Sequence, residues 1–260
     1  MPLNNEKKSN HRLSPESIKS SKEFTYASQA ASILKKKLAP LVFNSEGKKL
    51  HKLLQSVVIA ILTTGPVALK GKRQLGHGNV GLLKGTELNQ HTKFDSLAHF
   101  MFTRIEIEPT NGKVVVRVPA IASSDINWPE KAVQVVLRIR CLLIDPDKEG
   151  FAATVFETAP LISSVYGTLS KAKKALLKVG DTEGKVILVA AGISFIRTDG
   201  NGTEPYESYN RKHYAARILE AVFIKDGKVV VFKEQTKVKQ VEVPSDTSIP
   251  EKSQWEDDEE

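Results

Sequence analysis

The sequence predicts a mainly β protein, an antiparallel β-sandwich (alternatively a barrel) preceded by a helical hairpin. Three observations carry this expectation. Apolar residues recur at helical spacing between Phe24 and Leu62, and past His91 they alternate at strand spacing. The strand-like runs are joined by short turn sequences, with no helix-length crossover between them, so the pairing should be antiparallel.

The elements follow in order. Residues 1–22 are rich in Lys, Ser and Asn and poor in apolar residues. Such a stretch cannot bury enough surface to offset its ordering entropy, and a disordered basic N-terminus is expected. Phe24, Ala27, Ala31, Leu34 and Leu38 fall at alternating steps of three and four, one stripe of a helix limited by Pro40. A second helix is expected over 46–64, with Asn44 or Ser45 as its cap and Gly65-Pro66 as its stop. Val57, Val58 and Ile59 are β-branched in succession, so part of this segment has an extended alternative. Residues 71–85 are glycine-rich and read as a loop.

Phe102 to Glu108 alternates, Pro109 to Gly112 supplies a turn, and Lys113 to Val118 returns. In the next strand, Gln134 to Ile144, Leu137, Ile139, Cys141 and Leu143 share one face and Arg138 and Arg140 the other. Phe151 to Glu157 returns it. Thr168 to Lys178 reads as a short helix or a polar loop, and Lys185 to Arg197 as a long apolar strand broken by Gly192. Ala215 to Lys225 fits helix or strand. Asp226-Gly227, set between Phe223-Ile224 and Val229 to Phe232, is a strong hairpin signal and favours strand. The resulting organisation is a basic N-terminus (1–22), a helical hairpin with glycine-rich loop (23–92), an antiparallel β domain (93–244) and a disordered acidic tail (245–260).

Composition narrows the function classes. The chain has 260 residues, 40% of them hydrophobic, enough for a substantial core. Its one cysteine, Cys141, makes neither an internal disulfide nor a multi-cysteine zinc site, and reads as a buried structural thiol. No secretory signal is visible, and no apolar run approaches the roughly 20 residues of a membrane span. A cytoplasmic location is therefore expected. The net charge of +8 is uneven: residues 1–85 hold 15 Lys or Arg against 4 Asp or Glu, while Glu256 to Glu260 are all acidic.

No motif supplies a catalytic apparatus. Gly76-His77-Gly78-Asn79-Val80-Gly81 has the spacing of a dinucleotide-binding loop. It follows a basic, polar stretch rather than an apolar strand, and Gly85 makes a poor helix start, so it reads as a loop without cofactor. Asp145, Asp147 and Glu149, with Gly150 at the sixth place, resemble the start of a calcium loop. The twelfth place is Phe156 where a bidentate carboxylate is required, and a hairpin turn explains the same residues. The six histidines form no metal-type pair at helical spacing, although His77, His91 and His99 are candidates to meet in space.

The best-founded candidate is a basic contact region formed by Lys35, Lys36, Lys37, Lys48, Lys49, Lys52, Lys70, Lys72 and Arg73. It suits a protein partner or self-association, or the phosphate backbone of a nucleic acid, which asks only for dense positive charge. Few aromatic residues are interleaved with it, so base stacking is not suggested.

Two stretches resemble an uncharacterised family of Bacteroidota proteins of similar length. One is Glu23-Phe24-Thr25-Tyr26-Ala27-Ser28 followed by a basic helix to Leu41, with Thr25 and Tyr26 departing from the family's Gly-Arg. The other is Leu82-Leu83-Lys84-Gly85-Thr86-Glu87-Leu88-Asn89. The resemblance implies a helical part before a β-rich part in a bacterial protein, and no activity or site. The function expected from sequence is a non-catalytic interaction or structural protein with a basic helical docking region; the alternative is nucleic-acid association through residues 35–85.

Overall fold

A computed structural model describes residues 13–43, 46–102, 104–147, 151–164, 171–199 and 204–232. The expected order holds: a helix pair, then antiparallel strands in two sheets. Neither sheet closes on itself, so the sandwich reading stands and the barrel alternative does not.

Helix α1 spans Pro15–Leu38 and buries Ala27, Ala30, Ala31, Leu34 and Leu38. It begins well before the Phe24 start expected from sequence. Ser14 Oγ accepts from Ser17 N at 3.1 Å, Pro15 occupies the first turn and Glu16 follows, a full start signal inside a stretch expected to be disordered. Phe24, placed on the apolar stripe, is 57% exposed. The rest of the expected disordered N-terminus, residues 1–12, lies outside the described residues, as does the acidic tail.

After a 3₁₀ turn at Ala39–Val42, helix α2 runs over Gly47–Thr64 and buries Leu50, Leu54, Val58, Ile61 and Leu62. The expected caps Asn44 and Ser45 lie outside the described residues. Gly65 ends the helix as expected. The glycine-rich loop is built from 3₁₀ turns at Leu75–His77 and Val80–Leu83. A one-turn helix, α3, follows at Phe94–Leu97.

Strands β1 (Arg104–Glu108) and β2 (Lys113–Val118) form the expected hairpin around Gly112, whose φ of 55° requires glycine's freedom. The long strand β3 is Ala132–Asp145, flanked on one edge by β4 (Ala152–Glu157) and β5 (Leu161–Ser164). Lys173–Lys178 is strand β6, not the helix or loop expected there; it pairs with β2 and completes a three-stranded sheet, β1-β2-β6. Strands β7 (Val186–Arg197), β8 (Tyr206–Glu207), β9 (Tyr214–Lys225) and β10 (Lys228–Val229) complete the large sheet, ordered β10-β9-β7-β3-β4.

The layers follow from the alternation within β3 and β7. Leu137, Ile139, Cys141 and Leu143, with Ile187, Val189, Ala191, Ile193 and Phe195, face the three-stranded sheet and its Val114, Val116, Val118 and Leu177. Leu142, Ile144, Val186, Leu188 and Ala190 face α1 and α2. The large sheet is therefore the middle layer, covered by helices on one side and by a second sheet on the other. A strand buried on both faces reads as a continuous apolar run, as β7 does. At Gly192 a Cβ would meet the Leu41 side chain at 3.2 Å, so the missing side chain lets the turn after α1 settle on the sheet.

Candidate docking surface

The antiparallel helix pair divides the nine expected basic residues between its two ends. Lys35, Lys36 and Lys37 occupy the last turn of α1. Lys48, Lys49 and Lys52 lie in the first turns of α2, beside them across the connecting turn. Lys70, Lys72 and Arg73 belong to the opposite end, separated by about 1.5 Å per residue along most of α1, on the order of 30 Å. One contact region of nine residues is therefore not what the fold assembles.

The two ends differ in how their charge is answered. At the far end Lys70 Nζ lies 2.7 Å from Glu16, and Arg73 grips Glu23 through Nε and Nη2 at 2.6 and 2.7 Å. Arg73 is only 7% exposed, and Gly71 N donates to the same carboxylate at 2.8 Å. Burial pushes the Glu23 carboxyl up, but the bonds from Arg73 and Gly71 outweigh it and hold the group below its ordinary range. This buried pair fastens the start of α1 to the 71–75 loop, where Tyr26 Oη also accepts from Leu75 N at 3.1 Å. Arg73 is a structural group.

The lysine end has no such answer. None of Lys35, Lys36, Lys37, Lys48, Lys49 and Lys52 makes an ion pair among the described residues, and Lys36, Lys48, Lys49 and Lys52 are exposed. Lys35 to Lys37 complement the negative end of the α1 dipole, an ordinary stabilising arrangement. Lys48 and Lys49 do the reverse. They stand in the first turn of α2, which contains no acidic residue, where the positive end of the dipole disfavours each by about 0.3–1 kcal/mol.

The fold adds residues that lie far away in sequence. Phe43, in the turn between the helices, packs edge-on against Tyr209 and Tyr214, each at 5.0 Å between centroids. Tyr209 remains 71% exposed. Arg211 Nε lies 3.9 Å from Glu46, immediately before α2, and Nη1 lies 2.9 Å from His91 Nε2. The Arg211 carbonyl accepts from Asn89 Nδ2 and Thr92 Oγ1, both at 2.9 Å, which holds the 208–213 loop in place. Exposed Arg211 and Lys212 thus extend the lysine end and bring an exposed ring beside it. No sequence signal announced this, because the loop reaches α2 only through the sheet.

The remaining candidates resolve differently. Asp145 ends β3, and its Oδ1 accepts from Asp147 N at 3.2 Å, a turn that caps the strand; Glu149 lies outside the described residues. No group of three metal-ligating side chains gathers among the described residues. His77 Nδ1 accepts from Gln74 N, His91 meets Arg211 and His213 meets Ser208, so the loop histidines serve separate local contacts. In the glycine-rich loop a Cβ on Gly78 would sit 2.0 Å from the Ile61 carbonyl oxygen, and one on Gly76 2.7 Å from the Phe223 ring. Those glycines let the loop pack on α2 and β9. Cys141 is fully buried, and desolvation pushes its thiol up to about 12.

A groove of about 620 Å³ lies between β1 and β9, floored by Phe94, Phe100 and Phe102. Its carboxylates are both engaged: Asp95 by Arg217 at 2.6 and 2.8 Å, and Glu220 by Lys84 at 2.7 Å. No helix among the described residues is long and apolar enough to cross a membrane. Comparison with family models, with curated proteins and with solved structures finds no match to the chain.

Proposed function

We propose that this chain is a non-catalytic interaction protein of the bacterial cytoplasm, a three-layer scaffold that offers the lysine-rich end of its helix pair to an acidic protein partner. One observation carries the reading. Lys48 and Lys49 oppose the α2 dipole on an exposed turn and have no ion-pair partner among the described residues, whereas the basic residues at the far end include a pair matched by buried or neighbouring carboxylates. Charge without an ion pair among the described residues, in a helix turn that disfavours it, suits a surface completed by a partner. The lone buried thiol suits a reducing compartment.

A second reading, binding of a nucleic-acid backbone, draws support from Tyr209. An exposed ring beside lysines and Arg211 supplies the stacking platform and positive track that single strands use. One experiment separates the two. The full-length protein and a Lys36→Glu/Lys48→Glu/Lys49→Glu variant are used as bait, with and without nuclease, and bound proteins are identified by mass spectrometry. Proteins retained by the native chain, lost with the variant and indifferent to nuclease are the expected result. Retention that nuclease abolishes transfers the site to nucleic acid, and equal retention by both baits overturns the assignment.

A further inference from the structure

We propose that the outer face of the three-stranded sheet is a second docking surface, built for an acidic protein segment that carries an apolar side chain. Arg104 of β1 lies directly opposite Arg117 of β2, and Arg117 directly opposite Lys174 of β6. Residues directly opposite point to the same face, so three cations stand in one row across the sheet, with strands about 4.8 Å apart. Four residues along, Lys113 lies opposite Lys178, with Glu108 on its other side. Between these rows lies Glu106–Val115–Leu176.

Like charges directly opposite destabilise an antiparallel pair, and lysine is a poor strand former. The sheet answers this only in part: Glu106 reaches Arg117 at 2.9 Å and Arg104 at 3.4 Å. Lys174 and Lys178 make no ion pair among the described residues, and both are exposed. The inner face of the same three strands is ordinary core, so the fold itself does not require the cationic rows. They mark a surface whose charge is completed from outside.

The middle row sets the chemistry of the partner. Leu176 is 48% exposed at the centre of the face, with Val115 buried beside it and cationic rows on both sides. A phosphodiester backbone offers nothing to an apolar centre, and the three rows contain no aromatic ring on which a base could stack. An extended polypeptide with acidic side chains flanking an apolar one satisfies both features. This surface is separate from the lysine-rich helix end, and the two assignments fail independently.

The test uses the full-length chain and labelled probes of equal charge: a peptide alternating Glu and Leu, an all-Glu peptide and a single-stranded oligodeoxynucleotide, each titrated by fluorescence anisotropy. The Glu-Leu peptide should bind more tightly than the all-Glu peptide. Its affinity should fall about tenfold in Arg104→Glu/Lys174→Glu and in Leu176→Ser, and stay unchanged in Lys36→Glu/Lys48→Glu/Lys49→Glu. Lys174→Gln relieves the crowded row and should raise the urea midpoint. The proposal is overturned if the oligodeoxynucleotide binds the face as well as the peptide does. It is equally overturned if the sheet variants leave peptide affinity intact, or if Lys174→Gln lowers the midpoint.

Discussion

The pair that most sharply tests how the helices are held is Glu23–Arg73. Glu23→Leu removes a carboxylate that accepts three bonds, from Arg73 Nε, Arg73 Nη2 and Gly71 N, at 2.6, 2.7 and 2.8 Å. The Arg73 side chain stays behind at 7% exposure with its charge unanswered. Breaking a buried ion pair from one side costs about 3–5 kcal/mol. At about 2–4 °C per kcal/mol for a chain of this size, the melting temperature should fall by roughly 6–20 °C. Glu23→Leu/Arg73→Met, which removes both charges and keeps the volume, should recover most of the loss. Glu16→Ala, on the exposed neighbouring pair, should leave the midpoint nearly unchanged. Thermal and urea melts followed by circular dichroism give the temperature and free-energy values for all three variants. The folded Glu23 carboxyl lies below its ordinary value of 4.5, so the pair contributes fully above that pH and is lost as the pH falls through the folded value. The gap between native and Glu23→Leu curves should therefore close on acidification. A single-variant loss under about 1 kcal/mol, or a double variant no more stable than the single, refutes the account of this pair as a buried fastening.

Two further outcomes follow from the core. Cys141, fully buried with its thiol pushed up to about 12, should resist a disulfide reagent in native buffer and react only as the protein unfolds; rapid native labelling would show that the layer between the sheets opens. Gly192→Val adds atoms where a Cβ already meets Leu41 at 3.2 Å, and should cost about 1–3 kcal/mol by urea titration; an unchanged midpoint would mean that the Ala39–Val42 turn is free to move off β7.

Strands were legible where alternation and turn chemistry agreed. The β1–β2 hairpin has Gly112 at its turn, and the β9–β10 hairpin has Asp226-Gly227. Strand β6 was not legible: Ala175, Leu176 and Leu177 are contiguous, and the outward Leu176 breaks the period-2 signal. The start of α1 was hidden by composition. A polar stretch suggested disorder, while Ser14-Pro15-Glu16 carried the positional signal for a helix. Along β3 the separation of Arg138 and Arg140 from Leu137, Ile139 and Cys141 was correct, but the arginine face does not meet solvent alone. Arg140 donates to the Lys37 carbonyl at the end of α1 and pairs with Glu157, so it joins the helical layer to the sheet. Arg138 pairs with Glu207 at 2.5 and 2.8 Å on the same face. The nine basic residues do not form one site because closeness in sequence along a hairpin of long helices places residues at opposite ends of the helix pair.

Charge matching separates groups that hold the fold from groups the fold leaves over. Arg217 is gripped by Glu87 and Asp95, Arg138 by Glu207, and Arg73 by Glu23, and each of these arginines ties together segments distant in sequence. All three account for themselves as cross-links. Lys48 and Lys49 make no ion pair among the described residues and sit against the α2 dipole, and Lys174 stands opposite Arg117 and makes none among them either. A sequence under pressure for stability alone would have no reason to keep these three, since glutamate at 48 or 49 suits a helix start and threonine at 174 suits a strand. With both faces of the large sheet already covered, the helix end and the outer face of the small sheet are where such costs have something to gain. A partner would therefore meet the unmatched charges, and not the buried ones, which the fold already uses as cross-links.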